Sequence, residues 1–148
     1  MRLHLPKAIT NAGVKHLAPL TRLTRLDLSV TKVTDAGRKD LAPFKSLTAL
    51  NLRDTAVTDA GVKDLVPLNA LTELNLSGTR VTDAGLNEVV TLEALVDLDL
   101  SSTRVTDAGL KGLAALAKAT SIDLTSTRVT SAGAKELQAT LPKCVVRR

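Results

Sequence analysis

The stretch Leu71–Ala94, "LTELNLSGTRVTDAGLNEVVTLEA", decides how the whole chain is read. Its opening alternates: Leu74 and Leu76 face one way, while Glu73, Asn75 and Ser77 face the other. A period of two belongs to a short strand with one buried side. Its end changes period. Leu86, Val89 and Leu92 are three residues apart, with Asn87 and Glu88 between them, which predicts a short amphipathic helix. Between strand and helix stands "VTDAG" at 81–85.

That unit recurs along the chain. "VTDAG" also occupies 33–37, 57–61 and 105–109, and near-copies stand at Ile9–Gly13 ("ITNAG") and Val129–Gly133 ("VTSAG"), each 24 residues after the last. The alternating apolar pairs keep the same step: Leu26/Leu28, Leu50/Leu52, Leu74/Leu76, Leu98/Leu100 and Ile122/Leu124. Full units span 23–46, 47–70, 71–94, 95–118 and 119–142, with a partial coil at 1–22 and a capping strand in 143–148. The first strand-like piece, Leu3-His4-Leu5, is one residue out of register and is cut off by Pro6. One strand, one turn and one helix per 24 residues cannot enclose a core, so each coil must stack on its neighbours. The prediction is a right-handed α/β solenoid of about six coils, its parallel sheet roughly 25–30 Å across the strands.

The repeated pentapeptide reads as a helix start. Thr34 is placed to cap the helix with its hydroxyl, and Asp35 puts a negative charge against the positive end of the helix dipole. Val57 with Val62, Val81 with Leu86 and Val105 with Leu110 have the spacing of a hydrophobic staple. Ala36 and Gly37 are small, which predicts close approach of adjacent coils there. At the other end Pro19, Pro43 and Pro67 disfavour helix in the residue before them. Thr91, Ala115 and Ala139 hold that column later, so the later helices should run longer.

Composition narrows the functional classes. Apolar residues make up 44 % of 148, yet Phe44 is the lone aromatic residue, as a thin core of near-identical slices permits. The net charge is +5, but acidic and basic residues interleave. Without a segregated basic stripe or aromatic stacking platforms, nucleic-acid binding is disfavoured. Cys144 is the single cysteine, so no disulfide framework or cysteine-built metal site forms within one chain. The start shows no signal-peptide apolar run, and no window approaches 18 uninterrupted apolar residues. A cytoplasmic protein is the expectation.

The cores "LTELNL" (71–76) and "LVDLDL" (95–100), with the turn and helix "TRVTDAGLKGLAAL" (103–116), resemble leucine-rich repeats. The resemblance is to the short-helix types, including bacterial GALA-type and ribonuclease-inhibitor-like arrays, and covers nearly the whole chain. It implies a curved solenoid, with the parallel sheet on the concave side and short helices on the convex side, whose usual activity is binding other proteins. One departure stands out. Where the family commonly carries Asn after the strand, bridging adjacent coils, this chain has Thr31, Thr55, Thr79, Thr103 and Thr127. A threonine ladder with the same bridging role is expected.

No G-x-S-x-G, P-loop, G-x-G-x-x-G or H-E-x-x-H motif occurs. Cys144 lies at one end of the stack while His4 and His16 lie at the other, so no cysteine–histidine pair can form. No catalytic residue, cofactor or metal is expected. Two columns face outward instead. The mid-strand column reads Asp27, Asn51, Asn75, Asp99, Asp123. Strands roughly 4.8 Å apart would bring Asp99 and Asp123 close enough to share a cation or act as a pair, although a solvated polar row is the plainer reading. The column after the strands reads Lys32, Ala56, Arg80, Arg104, Arg128, and arginine suits carboxylates, phosphates and protein hot spots. On the helices, Lys15, Lys39, Lys63, Lys111 and Lys135 run beside Asp40, Asp64, Glu88 and Glu136 as a solvated mixed-charge face. Arg38 interrupts the apolar column of Val14, Val62, Leu86 and Leu110, and its stem is expected to lie buried with the charge snorkelling out.

The function expected is a non-enzymatic protein–protein interaction module. Its partner would dock on the concave face against Arg53, Arg80, Arg104, Arg128, Asp99 and Asp123. Two alternatives remain: an anion or nucleic-acid binder using the arginine row, and a structural protein that self-associates through coil ends lacking a strong polar cap.

Overall fold

A computed structural model describes the backbone of residues 1–148 and every side chain except those of Arg38 and Lys39. The readings made above for those two side chains lie outside the described residues. Seven three-residue strands alternate with short helices: β1 (Arg2–His4), α1 (Asn11–Lys15), β2 (Arg25–Asp27), a 3-10 helix (Asp35–Leu41), β3 (Ala49–Asn51), α2 (Asp59–Lys63), β4 (Glu73–Asn75), α3 (Asp83–Val89), β5 (Asp97–Asp99), α4 (Asp107–Leu113), β6 (Ser121–Asp123), α5 (Ser131–Thr140) and β7 (Val145–Arg147). The strands form one parallel sheet in sequence order, β1 to β7, with the helices stacked behind it.

The register follows the leucines. Leu3, Leu26, Leu50, Leu74, Leu98, Ile122 and Val146 stand side by side across the sheet. Leu26 to Ile122 in that row are at most 2 % exposed, and the second row, Leu28 to Leu124, is equally closed. The expectation of a misregistered first strand is corrected. Leu3 pairs with Leu26 in register, because the turn after β1 is one residue shorter than its counterparts and absorbs the difference.

The α-helices follow the proline column in length. Those before Pro19 and Pro67 have five residues, while before Pro43 the chain forms a seven-residue 3-10 helix instead. Where Thr91, Ala115 and Ala139 replace proline, the helices reach seven, seven and ten residues.

The helix starts contain more than a cap. The hydroxyls of Thr58, Thr82 and Thr106 accept from the amide two residues on at 3.3 Å, and Thr130 accepts from Gly133 N at 3.1 Å. The aspartates do not merely face a dipole; they link coils. Asp59 accepts from both the amide and the hydroxyl of Thr82 at 2.7 Å each, and Asp83 does the same to Thr106. Asp35 and Asp107 repeat the pattern with Thr58 and Thr130. Each threonine hydroxyl thus donates to the preceding coil and accepts from its own helix, so both capacities are used. The glycine makes room for this. A Cβ on Gly85 would lie 2.5 Å from Asp59 Oδ1, and one on Gly109 would lie 2.5 Å from Asp83 Oδ1. The alanine beside it is exposed, so only the glycine serves coil contact.

The threonine ladder stands elsewhere than expected. The hydroxyls of Thr31, Thr55, Thr79 and Thr103 donate at 2.6–2.7 Å to the carbonyl three residues back in their own coil, and bridge nothing. The bridging hydroxyls stand before the strands: Thr48 donates to Thr24 O at 3.0 Å, and Thr72 to Thr48 O at 3.1 Å. The post-strand turn is joined to its neighbour mainly by backbone, with a side-chain bond added between Ser101 Oγ and Ser77 Oγ at 2.8 Å. One of its residues is left-handed at Val30, Asp54, Gly78, Ser102 and Ser126, and the amides of the first four reach the next coil, as from Val30 to Arg53 O at 2.8 Å.

Candidate partner-binding face

The outward side of the sheet carries two full columns across all seven strands. One reads Arg2, Arg25, Ala49, Glu73, Asp97, Ser121, Val145; the other reads His4, Asp27, Asn51, Asn75, Asp99, Asp123, Arg147. All of them but His4 and Val145 line an open concavity of about 320 Å³. Its charge varies along the stack. Arg2 and Arg25 stand at the first strands with Asp27 beside them, and Glu73, Asp97, Asp99 and Asp123 follow from the fourth to the sixth, with Arg147 closing the row.

The mid-strand column is first a strand terminator. Asp27, Asn51, Asn75, Asp99 and Asp123 each accept at 2.8–3.0 Å from the amide two residues on, the Asx turn that ends β2 to β6 after three residues. Asp and Asn both serve this bond, which is why the column mixes them. The second oxygen differs down the row. Asp27 Oδ2 lies 2.9 Å from His4 Nδ1, and Asp99 Oδ2 accepts from Asn75 Nδ2 at 2.9 Å. Ser101 Oγ adds a third bond to Asp99 at 2.7 Å. Asp99 and Asp123 do stand opposite each other on β5 and β6, but Asp99 is occupied by Asn75 and Ser101 rather than turned toward Asp123. No group of three or more histidine, cysteine or carboxylate side chains able to hold a metal occurs among the described residues.

The composition reading missed one ion pair. Arg25 spans the small Ala49 to reach Glu73 two strands away, with Nη1–Oε1 at 2.8 Å and Nη2–Oε2 at 2.6 Å. Only the alanine at the intervening position lets the two side chains meet. The hydrogen bonds from Arg25 hold the Glu73 carboxyl below its ordinary value against the opposing effect of burial, with the charges of Arg25 and Arg2 adding to it, and the Arg25 guanidinium is raised in turn. At Asp27, burial favours the neutral acid, but hydrogen bonds from Ser29 and the neighbouring His4 outweigh it and lower the carboxyl. The sequence signal for the Arg25–Glu73 pair was a 48-residue separation, two coil steps, in one outward column.

Four of the six residues singled out in the sequence lie off the concavity. Asp99 and Asp123 line it; Arg53, Arg80, Arg104 and Arg128 do not. Arg53 is on the rim beyond β3 and pairs with Asp54, Nε–Oδ2 3.1 Å. Arg80, Arg104 and Arg128 stand exposed on the turn leading to the helices, one per coil, each donating its amide to the preceding coil at 2.9–3.1 Å. They form an uninterrupted basic row beside the concave face rather than within it. Glu73, Asp97, Arg25 and Arg147 complete the face itself.

A leucine-rich-repeat family model matches residues 20–42, 45–66, 69–89 and 94–114, more than half of the chain. Among solved structures, internalin C2 from Listeria monocytogenes superposes with a TM-score of 0.73 at 25 % identity, over 90 % of this chain and 54 % of that one. A leucine-rich-repeat protein from Leptospira interrogans superposes at 0.72 and 19 % identity, over 100 % of this chain and 37 % of that one. The functional domain of the Listeria protein InlJ gives 0.64 at 24 %, over 89 % and 26 %. The chain therefore spans about half, or less, of the length of these structures. No curated protein matches its sequence significantly. No helix among the described residues is long and apolar enough to cross a membrane. With in-register leucines, one strand and one short helix per coil, and a family match over four coils, the chain belongs to the leucine-rich-repeat proteins.

Proposed function

We propose that this protein is a non-enzymatic binding module that engages a protein partner on its concave face, the partner offering basic side chains to the half occupied by Glu73, Asp97, Asp99 and Asp123. The observation that carries this reading is the pair of unbroken outward columns, varying in charge along the stack and open to solvent across seven strands. Such a face offers a large complementary surface and a charge pattern that fixes orientation. Arg80, Arg104 and Arg128 supply a second contact on the adjacent rim, to acidic groups of the same partner. The reading keeps the expectation of a cytoplasmic setting, to which the buried, unpaired thiol of Cys144 is suited.

The test is affinity capture from native lysate with the wild-type protein and two variants. One carries Asp97→Lys and Asp123→Lys; the other carries Arg80→Glu, Arg104→Glu and Arg128→Glu. Specific partners lost with the first variant support the concave face, and a weaker loss with the second supports the rim. An identical set of captured proteins in all three overturns the reading.

A further inference from the structure

We propose that Arg80, Arg104 and Arg128 form a docking row for an acidic α-helix of the partner, whose carboxylates stand at i, i+3 or i+4, and i+7 on one face. The proposal rests on the binding role given above and names the conformation that the rim selects.

The row stands on a fixed frame. The amides of Arg80, Arg104 and Arg128 donate to Val57 O, Val81 O and Val105 O at 3.0, 3.1 and 2.9 Å, always one coil back. Thr106 pairs with Arg128 there as a parallel bridge, as Thr34 does with Ala56 and Thr10 with Lys32. A second, thinner ladder thus runs beside the sheet. It keeps the three backbones at strand spacing, so the row measures about 10 Å from Arg80 to Arg128.

Its charge is not answered within the chain. Arg25 pairs with Glu73, Arg53 pairs with Asp54, and Arg148 donates to Val129 O and Ser131 Oγ. Arg80, Arg104 and Arg128 are exposed and make no side-chain hydrogen bond or ion pair among the described residues. The carboxylates that follow Arg80 and Arg104 by three residues, Asp83 and Asp107, hold Thr106 and Thr130 of the next coil through both oxygens. Three like charges one coil apart repel each other, and an anion set against each relieves the repulsion.

Spacing selects the occupant. On an α-helix, residues i, i+3 or i+4, and i+7 share one face, and seven residues rise about 10.5 Å, which matches the row. In an extended segment one face recurs every second residue, so three carboxylates span about 13 Å and overrun it. Arginine holds all three positions, and its guanidinium fork suits carboxylates. A nucleic acid is disfavoured, because the lone aromatic side chain, Phe44, is fully buried and no stacking platform lies beside the row.

The test is an NMR titration of the isotope-labelled whole protein at low salt, read at the arginine side-chain Nε–H signals, with three alanine-based peptides. The first carries glutamates at i, i+4 and i+7. The second has the same composition with the glutamates on different faces. The third keeps the first spacing but contains prolines that break the helix. The signals of Arg80, Arg104 and Arg128 should shift together with the first peptide. The other two should bind about threefold more weakly or worse, the effect of losing two exposed pairs. Arg80→Glu with Arg104→Glu and Arg128→Glu should abolish binding while the amide signals of the sheet stay in place, since these side chains are exposed. Equal binding of the three peptides, or shifts confined to other residues, would overturn the proposal. So would tighter binding of a single-stranded DNA of matching charge or of anionic phospholipid vesicles. The peptides offer no basic side chain to the concave face, so failure here leaves that reading standing, and its own failure is read by the capture with Asp97→Lys and Asp123→Lys.

Discussion

The first and last coils of this stack do the same topological job in opposite ways. The first begins with an open strand and a five-residue helix whose Thr10 makes no side-chain cap bond. The last has a ten-residue helix, a threonine cap and a glutamine folded over the terminal strand. The interior coils are nearly interchangeable, and each closes its neighbours. A repeat is complete only between two others; what differs at an end is whether other residues substitute for the missing neighbour. Gln138 and Arg148 do so at the C-terminal end, while the N-terminal apolar positions remain half open.

The contrast can be broken most severely in the interior. Leu74→Ala, at a position 2 % exposed in the middle of the sheet, should cost about 3 kcal/mol, while Leu3→Ala in the first coil should cost about 1 kcal/mol. Equal shifts in denaturant midpoint would mean that the first coil is as closed as the centre. Next come the glycines. Gly85→Ala drives a methyl into Asp59 and should cost about 2 kcal/mol despite alanine's better helix propensity. Gly13→Ala meets only the Ile9 side chain, its flexible Cδ1 nearest at 2.8 Å, and should cost less than Gly85→Ala in thermal melts.

At the last coil, Gln138→Ala should cost about 1 kcal/mol and raise amide exchange at Val146 specifically, leaving β1 unchanged. A gain is expected at Val30, where a β-branched residue holds φ 57° in the column that elsewhere carries Gly78 at φ 67°. Val30→Gly should stabilise by at most about 1 kcal/mol in chemical denaturation, glycine's extra chain entropy offsetting part of the relief.

The smallest effect follows pH. Hydrogen bonds from the Thr130 hydroxyl and amide hold the Asp107 carboxyl below its ordinary value. A lowered carboxyl stabilises fully above the ordinary aspartate range near pH 4, and the contribution is lost as pH falls through the folded value. The equivalent junction at the first coil uses Asn11, which bonds Thr34 N at 2.9 Å and cannot titrate. Protection of the Thr130 amide relative to its intrinsic exchange rate, but not that of Thr34, should therefore fall in acid.

The architecture was legible because leucine spacing is set by burial, and burial repeats every coil. Strand register from β2 to β6, the strand-to-helix switch and the effect of Pro19 and Pro67 on helix length could all be read that way, whereas the register of β1 could not. Partnerships between coils were less legible. Thr31 and Thr24 are the same residue type seven positions apart, and only geometry decides which hydroxyl reaches a neighbouring backbone. Asp35 has a sufficient local reason to sit at a helix start, and that reason hid its bond to Thr58. The candidate face was half legible. The column of Asp99 and Asp123 does face outward, but Arg80, Arg104 and Arg128 leave the sheet before the chain reaches them, because the Asx turn ends β4, β5 and β6 at the third residue.

The forward reach of each aspartate gives the array an inheritance rule. A coil carries its own hook for the unit after it and its own notch for the unit before it, so whole units can be duplicated or deleted without rewriting the survivors. In the last coil described Ser131 stands in the aspartate column, and Arg148 Nη1 donates to its hydroxyl. Insertion or loss between a hook and its notch would part them, whereas a turn elsewhere can shed a residue, as the one after β1 does. Gain or loss of coils should therefore come in steps of 24 residues.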